Sequence, residues 1–285
     1  MIPLNKIKTS GPTALKRIGF YDSGIGGLSV LRETKRLLPE CEYLYVADDE
    51  YAPYGDKDSA FIIERGRTIL SLLESQGCQM IVVACNTATA AGIDQWRQEL
   101  TIPLVGVEPY LNALNKHPEL KNTGHKTLVM TTVRTSKSDR FLELRKRLDP
   151  EQKLIYTAMP GLASLIEQAF YNKTATGREL EQVLEQELSP LKKYGATHAI
   201  LGCTHYPLIQ KKIEQVLQLR AISPCQSVAQ RVKELAEQKS LSPGTGQLPI
   251  AGDFSTSFAF YSSKEKQWKE VNFESLWQRI DQWGQ

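Results

Sequence analysis

The chain has 285 residues, with 35 basic and 32 acidic side chains and a formal net charge of +3. That length allows one large or two small domains with ordinary buried cores, and the charge balance gives no basis for a nucleic-acid or membrane-surface partner. No apolar run reaches the ~18 residues of a membrane span, and five scattered cysteines favour a reducing cytosol over a disulfide scaffold.

Residues 1–16 are polar, lack the apolar core of a signal peptide, and read as an extension. After them, short apolar runs alternate with helical patterns. Arg17–Tyr21, Glu42–Ala47, Met80–Ala84 and Leu104–Val107 read as strands. Helical spacing falls between them over 26–38, 59–76 and 88–100, with Gly77 as a natural C-cap. The rhythm restarts with strands at Thr127–Thr131, Lys153–Ala158 and Ala199–Gly202, and helices over 138–148, 161–171, 179–193 and 207–219. In the third of these helices, Leu180, Val183, Leu184, Leu188 and Leu191 share one face. Residues 239–249, KSLSPGTGQLP, read as a surface loop. Leu276, Ile280 and Trp283 give the chain's end a short amphipathic helix, whose apolar side serves either core packing or a homodimer contact.

The two halves share a plan. MIVVACNTATA (80–90) and HAILGCTHYPL (198–208) each run from an apolar strand through a small residue to a Cys and two hydrogen-bonding residues. RIGFYDSGIGG (17–27) and KTLVMTTVRTS (126–136) correspond more loosely. The fold class is therefore α/β: two similar domains, each a mostly parallel sheet flanked by helices. Ligands of such sheets sit beyond the carboxyl ends of the strands, so an interdomain cleft is the expected active site. The first domain spans about 17–110 and carries Cys85; the second spans about 111–222 and carries Cys203.

Cys85 and Cys203 are the informative pair. A helix N-terminus after each strand lowers a nearby thiol's pKa, and Asn86, Thr87, Thr204 and His205 put hydrogen-bonding groups beside the sulfurs. Cys41, Cys78 and Cys225 lack this context and read as small buried hydrophobes. No C-x-x-C occurs, and Cys203 with His205 is too little for a closed zinc site, so no metal is expected. The loop Asp22-Ser23-Gly24-Ile25-Gly26-Gly27 follows a strand; its glycines let backbone amides approach a ligand, an anion above all. Asp22 is more than an anion cradle needs: it is suited to accept a proton, steer a thiol or bind an ammonium group. Thr131–Ser136 reads as a second anion loop, Tyr54-Gly55 alone as a turn, and Glu167 alone as a solvated carboxylate. His117, His125 and His198 carry no functional signal.

DSGIGGLSV (22–30), PYG (53–55), ACNTATA (84–90), VGVEP (105–109), LIE (165–167) and GCTHYPL (202–208) together resemble bacterial glutamate racemase, over roughly residues 17–235. The resemblance implies a cofactor-independent isomerase that interconverts L- and D-glutamate and supplies D-glutamate for peptidoglycan. It implies that Cys85 and Cys203 are acid/base thiols, with Asp22 near the first and His205 and Glu167 assisting the second. Ser23, Tyr54, Gly55, Asn86, Thr87 and Thr204 would join Asp22 and His205 in binding substrate. It also implies that residues 223–285 return to complete the first domain. The chain departs from the family at Arg134, where Gly is usual and a bulky cation is expected to narrow or recharge the loop. It departs again at Ser223-Pro224-Cys225-Gln226, where an Asp-Ser pair is common, and in having residues 1–16.

Racemisation removes a weakly acidic Cα proton from one face and returns one to the other, so two bases on opposite walls suit it. Aspartate racemisation differs only in pocket size. A related cofactor-independent decarboxylase working with a single Cys, and an amino-acid sensor or gyrase-binding protein that keeps the fold, are the other readings.

Overall fold

The computed structural model describes residues 17–121, 126–171, 177–238, 249–250 and 256–282. The expected N-terminal extension, His125, the side chain of Leu180, nearly all of the 239–249 loop and Trp283 lie outside the described residues.

The first half runs β1 (Arg17–Asp22), α1 (Leu28–Leu37), β2 (Glu42–Ala47), α2 (Ser59–Ser75), β3 (Met80–Val83), α3 (Asn86–Glu99), β4 (Leu104–Gly106) and a short α4 (Ala113–Lys116). The second runs β5 (Thr127–Thr131), α5 (Val133–Lys137), α6 (Asp139–Leu148), β6 (Ile155–Ala158), α7 (Leu162–Tyr171), α8 (Gly177–Leu188), β7 (His198–Leu201), α9 (Gln210–Leu217) and β8 (Arg220–Ile222). There follow α10 (Cys225–Gln238), β9 (Ser257–Ser262), β10 (Gln267–Asn272) and α11 (Phe273–Asp281). Among the described residues no helix is long and apolar enough to cross a membrane.

Two sheets result, in the orders β10-β9-β2-β1-β3-β4 and β6-β5-β7-β8. All pairings are parallel except β9 with β10. The quartets β2-β1-β3-β4 and β6-β5-β7-β8 have the same order, and their registers superpose: Val83 faces Tyr21 as Leu201 faces Met130. Just beyond, the Ala84 N–H donates to the Tyr21 carbonyl at 2.7 Å and the Gly202 N–H to the Met130 carbonyl at 2.8 Å. Cys85 and Cys203 therefore occupy equivalent positions. By the same register Asp22-Ser23 matches Thr131-Thr132, and Asn86-Thr87 matches Thr204-His205. The central strands β1, β3 and β5 are buried along their whole length, as strands covered on both faces must be.

The structure revises several elements. The helix expected over 88–100 starts at Asn86, which makes Cys85 its N-cap. The helix expected over 179–193 stops at Leu188 and continues as a 3-10 turn, Ser189–Tyr194, where Pro190 lacks an N–H to donate. That expected over 207–219 begins as a 3-10 turn, Tyr206–Ile209, and α9 ends where Gln218 turns left-handed at φ 51°. The expected anion loop 131–136 is mostly the helix α5, whose N-cap Thr132 accepts from the Thr135 N–H. Strands β8, β9 and β10 were not anticipated, and β9–β10 extend the first sheet beside β2. Leu276 and Ile280 of α11 are buried in the core.

Candidate active site

A cavity of about 740 Å3 opens beyond the carboxyl ends of β1, β3, β5, β6 and β7. Ser23, Tyr54, Gly55, Asn86, Thr87, Cys85, Glu167, Cys203, Thr204 and His205 all line it. Asp22 does not: it is fully buried behind the wall. Cys41, Cys78 and Cys225 are buried elsewhere.

Cys85 is nearly buried and caps α3 with its sulfur, which accepts from the Ala88 N–H at 3.5 Å and lies 3.6 Å from the Ser23 hydroxyl. A helix N-terminus was expected to lower this thiol's pKa. Burial outweighs it: desolvation first, and the Asp22 charge second, push Cys85 up to about 12, against the opposing pull of the Ala88 and Ser23 bonds. At neutral pH Cys85 rests as a thiol.

Cys203 is equally buried but is followed by a 3-10 turn rather than directly by an α-helix. Its sulfur lies 3.7 Å from His205 Nδ1. His205 Nε2 meets Glu167 Oε1 at 2.6 Å, and that same oxygen accepts the Ile25 N–H at 2.6 Å. Burial alone would lower the His205 pKa. The hydrogen bonds to Cys203 and Glu167, with their charges, outweigh burial and raise it well above the ordinary value. Glu167, which alone reads as a solvated surface group, instead hydrogen-bonds His205, whose other ring nitrogen faces the Cys203 sulfur.

The glycine loop serves a different purpose from the one expected. A Cβ on Gly24 would overlap the Glu167 carboxylate, and one on Gly26 the His205 ring. These glycines make room for the second half's own residues, and the anion met by the loop's backbone is Glu167. Asp22 also crosses between the halves: Oδ1 accepts from the Gly24 N–H and Ser23 hydroxyl, and Oδ2 from the Thr204 hydroxyl at 3.1 Å. Burial raises the Asp22 pKa, the His205 charge lowers it, and Glu167 raises it again.

Asn86 stands out. Both polar atoms of its amide are buried, without a hydrogen-bond partner among the described residues, on the cavity wall. Such a group costs about 1–3 kcal/mol unless something bonds it, so it is suited to a polar ligand. Arg134 lies outside the cavity lining and donates to Ser59. The Tyr54 hydroxyl points inward, to Asp48 and Tyr21, rather than to the cavity. The wall also contains Thr132, from the expected anion loop, and residues that sequence reasoning missed, including Met159, Gln168, Tyr171, Asp49 and Lys264. Lys264 sits between β9 and β10, neither of which was anticipated from the sequence, although β9 is a run of aromatic and small residues, Ser257–Ser262.

The family model for Asp/Glu/Hydantoin racemase matches residues 29–232. Glutamate racemase of Cupriavidus pinatubonensis is 38% identical over 234 residues, covering 81% of this chain and 83% of that protein. Glutamate racemase 2 of Bacillus subtilis is 34% identical over 238 residues, covering 81% and 86%. Among solved structures, Escherichia coli glutamate racemase in complex with L-glutamate and the activator UDP-MurNAc-Ala matches with a TM-score of 0.74 and 28% identity, over 87% of this chain and 89% of that one. On motifs, sequence and fold together, the chain belongs to the Asp/Glu/hydantoin racemase family, and its relatives there are glutamate racemases.

Proposed function

We propose that this protein interconverts L- and D-glutamate by exchanging the Cα proton between two thiols, Cys203 and Cys85. The observation that carries the reading is the pair of sulfurs at register-equivalent positions of two sheets, lining one cavity. The names of its relatives supply the substrate. As that family's resemblance implies, the D-glutamate would serve peptidoglycan.

Cys203, beside the His205 imidazolium, takes the proton from L-glutamate. Cys85, resting as a thiol, delivers its proton to the opposite face. In the reverse direction the roles exchange. The assignment of faces rests on the family resemblance. Asn86, Ser23, Thr87 and Thr204 hold the substrate's polar groups so that the hydrogen and its base are all that differ between enantiomers. Asp22 acts from behind the wall, joining the Ser23 turn to Thr204. Sheet order supports domains of 17–110 with 223–285, and of 111–222, because β9 and β10 return to the first sheet.

The test is to incubate the protein with L-glutamate, D-glutamate, L-aspartate or D-aspartate, with no cofactor added, and follow circular dichroism. Either glutamate enantiomer should decay to zero signal while aspartate stays unchanged. Equal turnover of aspartate, or release of carbon dioxide, would overturn the assignment.

A further inference from the structure

Asp48 is a fully buried carboxylate to which this chemistry gives no task. It follows β2 directly. Arg65 of α2 grips it with two donors, Nε at 3.0 Å and Nη2 at 2.6 Å. The Tyr54 hydroxyl donates to the same carboxylate at 2.5 Å, and the Tyr21 hydroxyl donates to Tyr54 at 2.8 Å. Burial raises the pKa of both phenols, so each keeps the proton that it donates. The Tyr51 ring covers the Arg65 guanidinium at 4.2 Å.

The two ends of this chain are informative. Tyr21 immediately precedes Asp22, and thus the turn that carries Ser23 beside the Cys85 sulfur. Tyr54 immediately precedes Gly55, and both residues line the cavity. A buried ion pair is weak evidence of a stability device, since apolar packing serves that end as well. Here two donors from Arg65 on α2 and one from the Tyr54 turn converge on a carboxylate just after β2, and they lock these three segments in one arrangement.

We propose that Tyr21, Tyr54, Asp48 and Arg65 form a positioning strut. It fixes the Tyr54–Gly55 wall of the cavity relative to the Asp22–Ser23 turn, and so sets substrate affinity without touching substrate. The proposal rests on the reading of the cavity as a glutamate site. It also reassigns the Tyr54 hydroxyl, from a group facing the substrate to a link within the protein.

The experiment is a double-mutant cycle on the full chain with glutamate as substrate, using Asp48→Asn, Tyr54→Phe and the double variant. Each single change should raise KM by about three- to tenfold while kcat stays within about twofold, and the double variant should be no worse than Asp48→Asn alone. A merely structural role would lower Tm and the active fraction and leave KM where it was. Effects that multiply would overturn the strut and return the Tyr54 hydroxyl to the substrate. An unchanged KM in folded Tyr54→Phe would overturn it as well. If Asp48→Asn fails to fold, Tyr21→Phe keeps the ion pair and removes only the outer hydroxyl. A rise in its KM of about two- to threefold supports the strut, and no rise overturns it. A wild-type protein inactive on glutamate would instead sink the underlying functional reading.

Discussion

The two cysteine loops occupy the same place in two copies of one strand order, yet their surroundings differ in kind. Around Cys85 the sulfur is a helix cap next to the Ser23 hydroxyl, with the buried Asp22 charge behind it, and burial holds the proton on. Around Cys203 the polar partner is an imidazole backed by a carboxylate. Position by position, His205 stands where the first half has Thr87, and Asp22 where the second has Thr131. Asn86 and Thr204 are likewise equivalent, but the Thr204 hydroxyl donates a hydrogen bond to Asp22 while the Asn86 amide has no partner among the described residues. The repeated fold thus supplies symmetric sites for two sulfurs, and a few departures from the repeat give the two sulfurs different polar partners.

The largest effect should come from removing either sulfur. Serine is a far weaker base than thiolate at neutral pH, so Cys85→Ser and Cys203→Ser should each lower racemisation by about 10^3-fold or more. Each variant should keep a one-sided reaction, elimination from a glutamate analogue with a leaving group at Cβ. Cys85→Ser should process the L-analogue and Cys203→Ser the D-analogue. Reversed preferences would overturn only the assignment of faces. Variants that process both enantiomers equally would end the two-base scheme.

Asn86→Ala should come next. It should lower kcat/KM by about 5- to 150-fold, the equivalent of about 1–3 kcal/mol of lost substrate hydrogen bonding. Because the amide has no partner among the described residues, Tm should not fall. A lower Tm with unchanged kinetics would mean that Asn86 serves the fold rather than the substrate.

Glu167→Gln sharpens the comparison through pH, with an expected fall in activity of about tenfold. Losing the carboxylate lowers the His205 pKa, so the alkaline limb of the kcat/KM profile should move to lower pH. Linkage gives the matching stability effect. His205 binds its proton more tightly folded than unfolded, so its contribution is complete below its unfolded value of about 6.5 and fades as pH rises through the raised folded value. The Tm advantage of wild type over Glu167→Gln should therefore narrow on the alkaline side. An unmoved alkaline limb would show that His205 acts without Glu167.

The strand–Cys–polar plan was legible because it is local: an apolar run, a small residue and a thiol leave their mark within eleven residues, and twice. What failed to show was whatever the fold assembles from distant segments. Glu167 reads as a surface carboxylate until Ile25 and His205 close on it. Gly24 and Gly26 look like ligand glycines because sequence shows small residues but not what fills the space beside them. The Cys85 pKa was read from its helix alone, whereas desolvation depends on everything packed around the sulfur. Strand β8 is only three residues long, and β10 is an edge strand with mostly exposed polar residues, so neither carries a hydrophobic period. The Lys264 contribution to the cavity was lost with β9 and β10.

The central claim is that one sulfur removes the proton while the other supplies a different one. It is tested most directly by a single turnover of L-glutamate in D2O, with both enantiomers separated and their Cα isotope read by mass spectrometry. The D-glutamate formed should carry deuterium at Cα, delivered by the exchanged Cys85 thiol, while unreacted L-glutamate keeps its hydrogen. D-glutamate retaining the substrate's own hydrogen, or deuterium entering both enantiomers equally from the start, would contradict the two-thiol account.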